Sequence, residues 1–414
     1  MNRLKAIYWI ETDFPLDKAV KIMAGEQSTG TFVKTPGENS KQVEQYSSKI
    51  ESIELLGEVG TPSLFNSKKM NGPIQQAHVT LSWSIDNIGY NIPILLATVA
   101  GNLFELAPFS GLKLLDLEFP DSYSKHYTGP KHSIDGTFQK IGLNKGIPII
   151  GTIIKPSVGL DSEATAKQVK LLIEGGLDFI KDDELMGSTK NNSFENRVDA
   201  CMDVINQYAQ ANGKKPMYAF NISGTTVEML KRHDYVLKKG GSCIMINLLW
   251  AGLSSIEQIS RHSQLPIHGH RNGWGIFSRN SAMGISYTAM SKIWRLAGVD
   301  HLHTNGIRNK FCETDESVIN SIKACQTPLW STEDRAMPVI SSGQWAGQAF
   351  DTYEAIGNSD LMYLCGGGIM GHPNGIRAGI DSVRDAWQAA IEGLKVEAAR
   401  KKYRAVDEAF KFFG

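Results

Sequence analysis

Eight short apolar runs in this chain each lead into a polar residue or a glycine suited to chemistry. The stretches between the runs are long enough for a helix and its loops. Strands that alternate with helices are typical of βαβ units, and eight of them predict a closed (β/α)8 barrel, whose catalytic groups lie at the carboxyl ends of the strands. In chain order the runs are PIIGTIIK, LDFIK, MYAFN, CIMIN, LPIHGH, VDHLH, MPVIS and DLMYLCG, and the residues at their ends are Lys155, Lys181, Asn221, Asn247, His270, His303, Ser341 and Gly366.

The chain is longer than one barrel requires. A (β/α)8 barrel takes about 250 residues, whereas the chain has 414. Residues 1–128 mix strand-like segments such as LKAIYWIE with helix-like ones such as PLDKAVKIMAGEQS. We therefore predict an α+β domain over 1–128, with helices on one face of a small open sheet, and a TIM-barrel domain over 129–414. Within the second domain, GPKHSIDGTFQKIGL predicts a connecting helix with a turn at Asp135-Gly136, and the stretch from Ser382 to Phe413 predicts terminal helices.

Composition excludes several classes of function. The 43 basic and 43 acidic residues give a formal net charge of +0, which argues against a nucleic-acid-binding surface. The five cysteines are odd in number and lack the close spacing of metal ligands, so we expect reduced thiols in a cytoplasm. The N-terminus lacks the pattern of a signal peptide, and no apolar run approaches the roughly 20 residues of a membrane helix. We expect a cytoplasmic protein that captures a small molecule through local groups.

The densest charged motif follows the second barrel run, where Lys181 precedes Asp182, Asp183 and Glu184. Hard divalent cations such as Mg²⁺ prefer carboxylate oxygen, but an ammonium would repel a metal. If CO2 adds to the neutral amine of Lys181, the resulting carbamate becomes an additional oxygen ligand. The alternative is a lysine that forms ion pairs with its neighbours at a strand end.

A phosphate site is indicated after the last two runs. Glycines let backbone N–H groups approach an oxyanion, and barrel phosphate sites commonly lie after strands seven and eight. The residues concerned are Ser341, Ser342 and Gly343 after the seventh run and Gly366, Gly367 and Gly368 after the eighth.

An ordered series of motifs resembles the ribulose-1,5-bisphosphate carboxylase (RuBisCO) superfamily, including its non-carboxylating RuBisCO-like members. The series extends across most of the chain, and chance does not produce such an order. The motifs are EQSTGTF (26–32), AGNLFEL (100–106), GTIIKPSVGL (151–160), GGLDFIKDDE (175–184), HGHR (268–271), DHLH (300–303), Lys310 in the following loop, VISSG (339–343) and GGGIMGHPNG (366–375).

This resemblance implies a magnesium enzyme. It makes Lys181 the carbamylated metal ligand, with Asp183 and Glu184 completing the protein's share of the Mg²⁺ coordination. Lys155 resembles the family's catalytic lysine, which gives or takes a proton beside an enediolate. The resemblance also places His270 and Lys310 among the catalytic residues. The alternatives are a solvated strand-end lysine and an ordinary core histidine.

The resemblance also implies how a phosphorylated substrate is held. It places Thr31 and Lys310 at one phosphate site, and Arg271, His303 and Ser341 toward the far end of the substrate. Arg271 can grip a phosphate or a carboxylate bidentately. With His270, it is also a candidate partner for a carboxylate that leaves the substrate.

Two residues of the first domain imply a shared active site. Glu26 and Asn102 match family residues that complete the active site of a neighbouring subunit. A homodimer, alone or within a larger assembly, is then the minimal functional unit. The alternative is that Glu26 caps a helix and Asn102 a turn.

The departures from the family pattern bear on the reaction. Ser157 stands where true carboxylases carry a second lysine, Phe32 replaces a tryptophan, and the loop TNGIRNKFCE (304–313) is rebuilt. Because loop closure protects a reactive enediolate, we expect no carboxylation of ribulose bisphosphate. The methionine-salvage enolases of the superfamily carry a lysine at the place of Asn102 and lack the HGHR segment.

The chain is most similar to RuBisCO-like enzymes of carbohydrate metabolism that cleave a phosphorylated 3-oxo sugar acid. The implied reaction forms a metal-stabilised enediolate by decarboxylation or by hydrolytic cleavage of a C–C bond, which makes the protein a lyase or a hydrolase. One alternative is an enolase or isomerase acting on a methylthio-ketose phosphate, with Trp274, Phe277 and Trp345 as an apolar end of the pocket. The other is a catalytically idle regulatory homologue that binds metal and phosphate.

Overall fold

The structure, a computed structural model, describes residues 2–29, 39–65 and 72–414. The chain divides into two compact units. The first consists of Met1–Thr128 with Gly273–Leu296, and the second of Gly129–Asn272 with Ala297–Gly414.

A five-stranded sheet forms the centre of the first unit. Its strands are β1 (Arg3–Thr12), β2 (Lys49–Val59), β3 (Ile74–Ser84), β4 (Phe109–Glu118) and β10 (Met283–Ile285). The order is β10-β4-β1-β3-β2, with β10 parallel to β4 and the other pairs antiparallel. Alternate side chains of β1 are fully buried, as expected for a strand with one face on the core. The helices of this unit are α1 (Leu16–Glu26), α2 (Ser40–Tyr46), α3 (Ile85–Ile88), α4 (Ile92–Ala100), α11 (Gly275–Ser278) and α12 (Tyr287–Leu296), with 3-10 turns at Asn102–Glu105 and Asp121–Lys125.

The second unit contains the predicted barrel. Eight parallel strands close on themselves in the order β11-β12-β13-β5-β6-β7-β8-β9. Each of the eight apolar runs overlaps one of these strands, so the predicted fold class is confirmed. The strands are β5 (Ile149–Ile153), β6 (Phe179–Lys181), β7 (Met217–Asn221), β8 (Cys243–Asn247), β9 (Ile267–His270), β11 (His301–Asn305), β12 (Met337–Ser341) and β13 (Met362–Leu364).

Polar caps begin several of the helices around the barrel. The side chains of Asp161, Ser193, Thr225 and Thr314 each accept a hydrogen bond from a backbone N–H of the first helical turn. The helices are α5 (Ser133–Ile141), α6 (Ser162–Glu174), α7 (Phe194–Asn212), α8 (Thr226–Lys238), α9 (Leu248–Ala251), α10 (Leu253–His262), α13 (Asp315–Gln326), α14 (Gln348–Ile356), α15 (Gly367–Met370), α16 (Gly375–Ile391), α17 (Val396–Lys402) and α18 (Arg404–Phe413), with a 3-10 turn at Thr332–Asp334.

Helix α5 contributes to the interior of the barrel. Ile134, Phe138 and Ile141 belong to one buried cluster with inward-facing side chains of the barrel strands, among them Phe179 and Met337. The predicted turn at Asp135-Gly136 is wrong, because α5 continues through both residues. Burial of this apolar stripe outweighs the local turn preference.

The segment 273–296 departs from the predicted division of the chain. From the sequence it belonged to the barrel domain, but in the structure it groups with the first unit. Strand β10 pairs with the edge strand β4, and the Lys292 ammonium donates to the Leu117 carbonyl at 2.8 Å.

Within the described residues, no helix is long and apolar enough to span a membrane.

Candidate active site

Strand β6 ends in a buried lysine. The Lys181 side chain is 1% exposed, and its ammonium donates to the Asp182 carbonyl at 2.8 Å. It forms an ion pair with Glu184 only at 3.9 Å. Burial lowers the pKa of Lys181 to about 8, although the neighbouring carboxylates act in the opposite direction. A neutral amine, the form that reacts with CO2, is therefore more accessible here than in an exposed lysine.

The three carboxylates after Lys181 have different surroundings. Asp182 points into the protein, where Arg197 Nε lies 3.2 Å from Oδ2 and the Tyr218 hydroxyl donates to Oδ1 at 2.6 Å. The Asn221 backbone N–H also donates to Oδ2, at 2.8 Å. Asp182 and Arg197 are both completely buried. These contacts make Asp182 an anchor for the loop. Asp182 and Asp183 have different surroundings because side chains alternate in direction along an extended backbone.

Asp183 faces the first barrel strand. Its Oδ2 accepts from the Lys155 ammonium at 2.5 Å and from the Ser157 hydroxyl at 2.9 Å. Lys155 Nζ and Ser157 Oγ are themselves 2.7 Å apart, so the three groups form a closed triangle. Burial alone would raise the pKa of Asp183, but the hydrogen bonds and charge of Lys155 hold it below its usual range.

Glu184 is held through its backbone. Its carbonyl accepts from Asn221 Nδ2 at 3.2 Å and from Asn247 Nδ2 at 3.0 Å. Its carboxylate lies 3.5 Å from His270 Nε2. The two strand-end asparagines therefore position the acidic loop. Burial, with the charge of Lys181, keeps the pKa of His270 well below its usual range, so this ring is neutral.

The groups around Lys181 fit a divalent cation once the lysine carries a carbamate. In their present protonation state, two ammoniums neutralise the carboxylates of Asp183 and Glu184. A carbamate at Lys181 would replace one positive charge by a negative one and supply a third oxygen group, the donor type that Mg²⁺ prefers. Asp182 would remain with Arg197. The structure thus brings together the three residues predicted as metal ligands.

Histidines form a continuous row through the barrel. His303 Nε2 lies 2.7 Å from His268 Nε2, and His268 Nδ1 lies 3.3 Å from His301 Nδ1. His301 Nε2 then lies 3.0 Å from the Thr137 hydroxyl of α5. At the other end of the row, His303 Nδ1 is 3.3 Å from Ser341 Oγ. His303 is therefore part of a buried network and not an isolated core residue.

Arg271 is paired within the chain. Its Nη2 donates to Glu313 Oε2 at 2.5 Å, and the Asn305 amide donates to the same oxygen at 2.6 Å. Glu313 belongs to the rebuilt loop after β11, which also carries Lys310. Lys310 is exposed and forms no ion pair with a carboxylate of the described ranges, but its ammonium lies over the Phe311 ring.

The predicted phosphate loops follow β12 and β13. Ser342 and Gly343 both have left-handed backbone angles, and the Ser342 hydroxyl donates to Asn305 Oδ1 at 2.7 Å. A Cβ atom added at Gly366 or Gly367 would meet nothing within 4 Å, whereas one at Gly368 would lie 2.7 Å from the Cβ of Trp345. Gly368 is needed for packing, and the other two leave open space beside their backbone.

The site residues of the first unit adjoin each other. Asn102 Nδ2 lies 3.5 Å from Glu26 Oε1, and this contact is exposed. Thr31 and Phe32 lie outside the described residues.

The aromatic residues considered for an apolar pocket pack within their own units. Trp274 packs against Phe277, Tyr287 and Trp294 in the first unit. Trp345 packs against Phe410 and Phe413 of the C-terminal helix in the second. These contacts give the rings a structural role.

Several polar residues of the site were not identified from the sequence. Arg197 lies on helix α7 and Glu313 in the loop after β11, away from the ends of the barrel strands. His268 and His301 belong to the HGHR and DHLH motifs, two positions before His270 and His303. Their i, i+2 spacing on a strand could have indicated a shared interior face.

The fold and these motifs define a member of the RuBisCO large-chain family. The catalytic-domain model of the ribulose bisphosphate carboxylase large chain matches residues 133–413, and the N-terminal-domain model matches residues 6–123. The chain therefore belongs to this family.

Individual relatives are similar over nearly their whole length. The chain is 46% identical over 413 residues to a 3-oxo-isoapionate-4-phosphate transcarboxylase/hydrolase of Xanthobacter autotrophicus, covering 100% of this chain and 99% of the relative. It is 39% identical over 389 residues to a 3-oxo-isoapionate-4-phosphate decarboxylase of Rhizobium rhizogenes, covering 94% and 93%. A crystal structure of a rubisco-like protein from Burkholderia fungorum matches with a TM-score of 0.94 at 38% identity, covering 100% of both chains.

Proposed function

We propose that this protein is a Mg²⁺-dependent, non-carboxylating enzyme that cleaves a C–C bond of a phosphorylated 3-oxo sugar acid. The triangle of Lys155, Ser157 and Asp183 beside buried Lys181 carries this proposal. It joins a proton donor to the predicted metal ligands and puts a neutral hydroxyl where a carboxylase has a second ammonium. Two relatives, at 46% and 39% identity, are named for reactions of 3-oxo-isoapionate 4-phosphate, which is the first substrate to test.

The cation would be held by Asp183, Glu184 and a carbamate on Lys181. When bound, Mg²⁺ supplies a Lewis acid that draws electron density from the ketone oxygen of the substrate. The buried position of Lys181 supports this assignment, because an ammonium that is 1% exposed and 3.9 Å from its ionic partner is poorly compensated.

Lys155 is the proposed general acid. When the C–C bond of the 3-oxo acid breaks, its electron pair forms an enediolate, which needs a proton at the carbon that lost its substituent. The Lys155 ammonium is held by Asp183 and Ser157, while its side chain remains 46% exposed. It is therefore both oriented and accessible from the solvent side of the barrel.

The carboxylate of the substrate needs a cationic partner, and the structure favours Lys310 over Arg271. Arg271 already donates to Glu313 at 2.5 Å. Lys310, on the same loop, forms no ion pair among the described residues. Neutral His270 offers a hydrogen bond but no charge.

The phosphate of the substrate would bind beside the open backbone of Gly366 and Gly367, with Gly343 contributing from the neighbouring loop. Free space at Gly366 and Gly367 supports this assignment. The resemblance to the family adds Thr31 to this phosphate site.

Deuterium oxide distinguishes the proposed cleavage from the enolase or isomerase alternative. Cleavage of 3-oxo-isoapionate 4-phosphate should place one deuterium at the carbon that lost its substituent and divide the substrate carbons between two molecules. Trapping of CO2 then separates decarboxylation from hydrolysis, in which the carboxyl carbon stays in an organic acid. Solvent exchange next to the carbonyl, with every carbon in one molecule, would contradict cleavage.

Ribulose bisphosphate should not be carboxylated. Ser157 removes a cation beside the reacting carbons, so labelled bicarbonate should not enter phosphoglycerate. Turnover of about one per second, which is ordinary for an enzyme, would overturn this expectation.

The active site is proposed to be shared within a homodimer. Glu26 and Asn102 lie together and exposed in the first unit. Their exposure supports a role in the active site of a neighbouring subunit. Glu26→Gln and Lys181→Ala proteins, each inactive alone, should regain partial activity when mixed, because a heterodimer holds one site with both native residues. Mass spectrometry must show subunit exchange. Exchange without recovered activity would contradict the shared site.

A further inference from the structure

Arg271 does not present an uncompensated positive charge. Glu313 Oε2 accepts from Arg271 and from Asn305, while Oε1 accepts from the Ser317 hydroxyl at 2.8 Å. The side chains of Arg271 and Glu313 are only 11% and 15% exposed. Burial would raise the pKa of Glu313, but the charge and hydrogen bonds of Arg271 lower it, so the carboxylate is ionised. The pair is electrically neutral.

Hydrogen bonds connect this pair to His303. Asn305, which donates to Glu313, accepts from the Ser342 hydroxyl at 2.7 Å. Ser342 Oγ lies 3.5 Å from Ser341 Oγ, which in turn lies 3.3 Å from His303 Nδ1. The Arg271–Glu313 pair and His303 therefore belong to one polar network at the carboxyl ends of β9, β11 and β12.

The hydrogen bonds of the histidine row have a fixed donor-to-acceptor direction. The Thr137 hydroxyl donates to the Ser133 carbonyl at 2.5 Å, so its contact with His301 requires Nε2–H of His301 to be the donor. Burial lowers the pKa of His301 to about 3, and the ring is neutral. Its Nδ1 is then an acceptor, and His268 must donate from Nδ1.

The same reasoning sets the tautomer of His303. Since neutral His268 donates from Nδ1, its Nε2 accepts, and the Nε2–H of His303 is the donor across the 2.7 Å contact. Burial also keeps the pKa values of His268 and His303 well below the usual range. Neutral His303 thus carries a lone pair on Nδ1, the nitrogen beside Ser341. It can accept a hydrogen bond there but cannot donate one.

We propose that this network binds a neutral, hydroxyl-bearing end of the substrate, and that Glu313 determines specificity by excluding a second phosphate. A hydroxyl can donate to His303 Nδ1, whereas a phosphate dianion has no proton to donate. A phosphate drawn to Arg271 would also meet the Glu313 carboxylate as a like charge. This inference rests on the proposed function, because it concerns which end of the same substrate is phosphorylated.

The test measures binding, without turnover. Calorimetry in Mg²⁺ and bicarbonate compares ribulose 1,5-bisphosphate with ribulose 5-phosphate in the wild-type protein and in Glu313→Gln. The variant should bind the bisphosphate about tenfold more tightly than the wild type does, the size expected for removing one like charge in a partly solvated site. Affinity for the monophosphate should stay within about twofold, which also reports that the variant is folded.

Two further variants control the result. Glu316→Gln changes an exposed glutamate three positions along the chain and should leave both affinities unchanged. Arg271→Gln combined with Glu313→Gln should lose the gain, because the gain requires the released guanidinium. Equal bisphosphate affinities in Glu313→Gln and Glu316→Gln would overturn the proposal, and so would a gain that persists in the double variant.

Histidine ¹⁵N spectra provide a second measurement. His303 should show protonation at Nε2, and protonation at Nδ1 would overturn the proposed role of this residue. Failure of the proposed function is seen separately, as absence of product from 3-oxo-isoapionate 4-phosphate with the wild-type protein. The binding ratios do not depend on that outcome.

Discussion

Immediately before strand β6 the Asp178 carboxylate has two cationic partners, whereas at the end of the strand the Lys181 ammonium has one carboxylate within ion-pair distance. Asp178 Oδ1 accepts from Lys214 at 2.7 Å and from Arg384 at 2.8 Å, and Oδ2 accepts from the Ile150 backbone at 3.2 Å. Lys181 lies 3.9 Å from Glu184. The charge at the first end is fully compensated, and the charge at the second end remains reactive.

Strand β11 is preceded by another buried acid that has several hydrogen-bond partners. Buried Asp300 accepts from three backbone N–H groups, those of Ile267 at 2.8 Å, His132 at 2.6 Å and Ser133 at 3.3 Å. Barrels commonly keep stability at the amino face and chemistry at the carboxyl face. In this barrel, Asp178 and Asp300 at the amino face each have several close hydrogen-bond or ionic partners, whereas Lys181 at the carboxyl face has one ionic partner at 3.9 Å.

Substitution of the two lysines near β6 should give the largest contrast. Lys181→Met should lower turnover by roughly 10³-fold or more, as expected for loss of a principal electrostatic group. Lys214→Met should leave turnover unchanged, because Arg384 still binds Asp178. Steady-state assays measure the rates, and ¹³C-bicarbonate NMR should show a carbamate in the wild type and in Lys214→Met only. Comparable rates in the two variants would remove the distinction between the ends.

Asp182→Asn should separate structural from reactive acids within one loop. The change leaves the buried Arg197 guanidinium uncompensated and should lower the free energy of unfolding by about 3–5 kcal/mol. Urea titration measures it. The control is Asp199→Asn, which breaks a half-exposed pair with Lys239 and should cost about 1 kcal/mol or less. Similar losses in both variants would show that Asp182 is not an anchor.

Lys155→Met should slow product formation by about 100-fold, the usual effect of losing a general acid. Mg²⁺ binding should persist, because the predicted ligands are Asp183, Glu184 and the carbamate on Lys181. Calorimetry with Mg²⁺ and bicarbonate checks the second expectation. A variant that loses Mg²⁺ binding as well would assign Lys155 to the metal site instead of proton transfer.

The histidine row should make stability depend on pH with a definite sign. The pKa of His301 is about 3 in the folded protein and about 6.5 when unfolded. The unfolded chain therefore binds more protons between these values. The contribution of His301 to the free energy of unfolding is complete above about pH 6.5. It falls as the pH decreases, by about 1.4 kcal/mol per pH unit. His301→Gln should reduce that slope, measured by urea unfolding from pH 6 to 4.5. An unchanged pH dependence of the free energy of unfolding in His301→Gln would contradict this role of His301.

The barrel could be predicted because its strands are buried on both faces. Such strands appear in the sequence as continuous apolar runs, and the polar residue after each run marks the functional face. Lys155, Lys181, His270 and His303, the residues at the ends of four of these runs, do lie in one unit with the contacts described above. Their catalytic roles remain predictions.

The partners of charged side chains could not be predicted in the same way. Nothing in the order of Asp182 and Asp183 indicates that one meets Arg197 and the other Lys155. Arg271 and Glu313 are 42 positions apart, and their pairing depends on the path of a loop. The three-residue strand β10 is too short to give a periodic pattern, so its place in the first sheet was also missed.

The position of β10 bears on the order in which the protein can be completed during synthesis. Strand β4 needs β10 as its outer neighbour, and β10 is made only after the five barrel strands from β5 to β9. Until then the outer edge of β4 exposes unpaired backbone groups, which can pair with another chain. The nascent first unit is therefore at risk of aggregation for as long as the ribosome takes to reach Met283–Ile285.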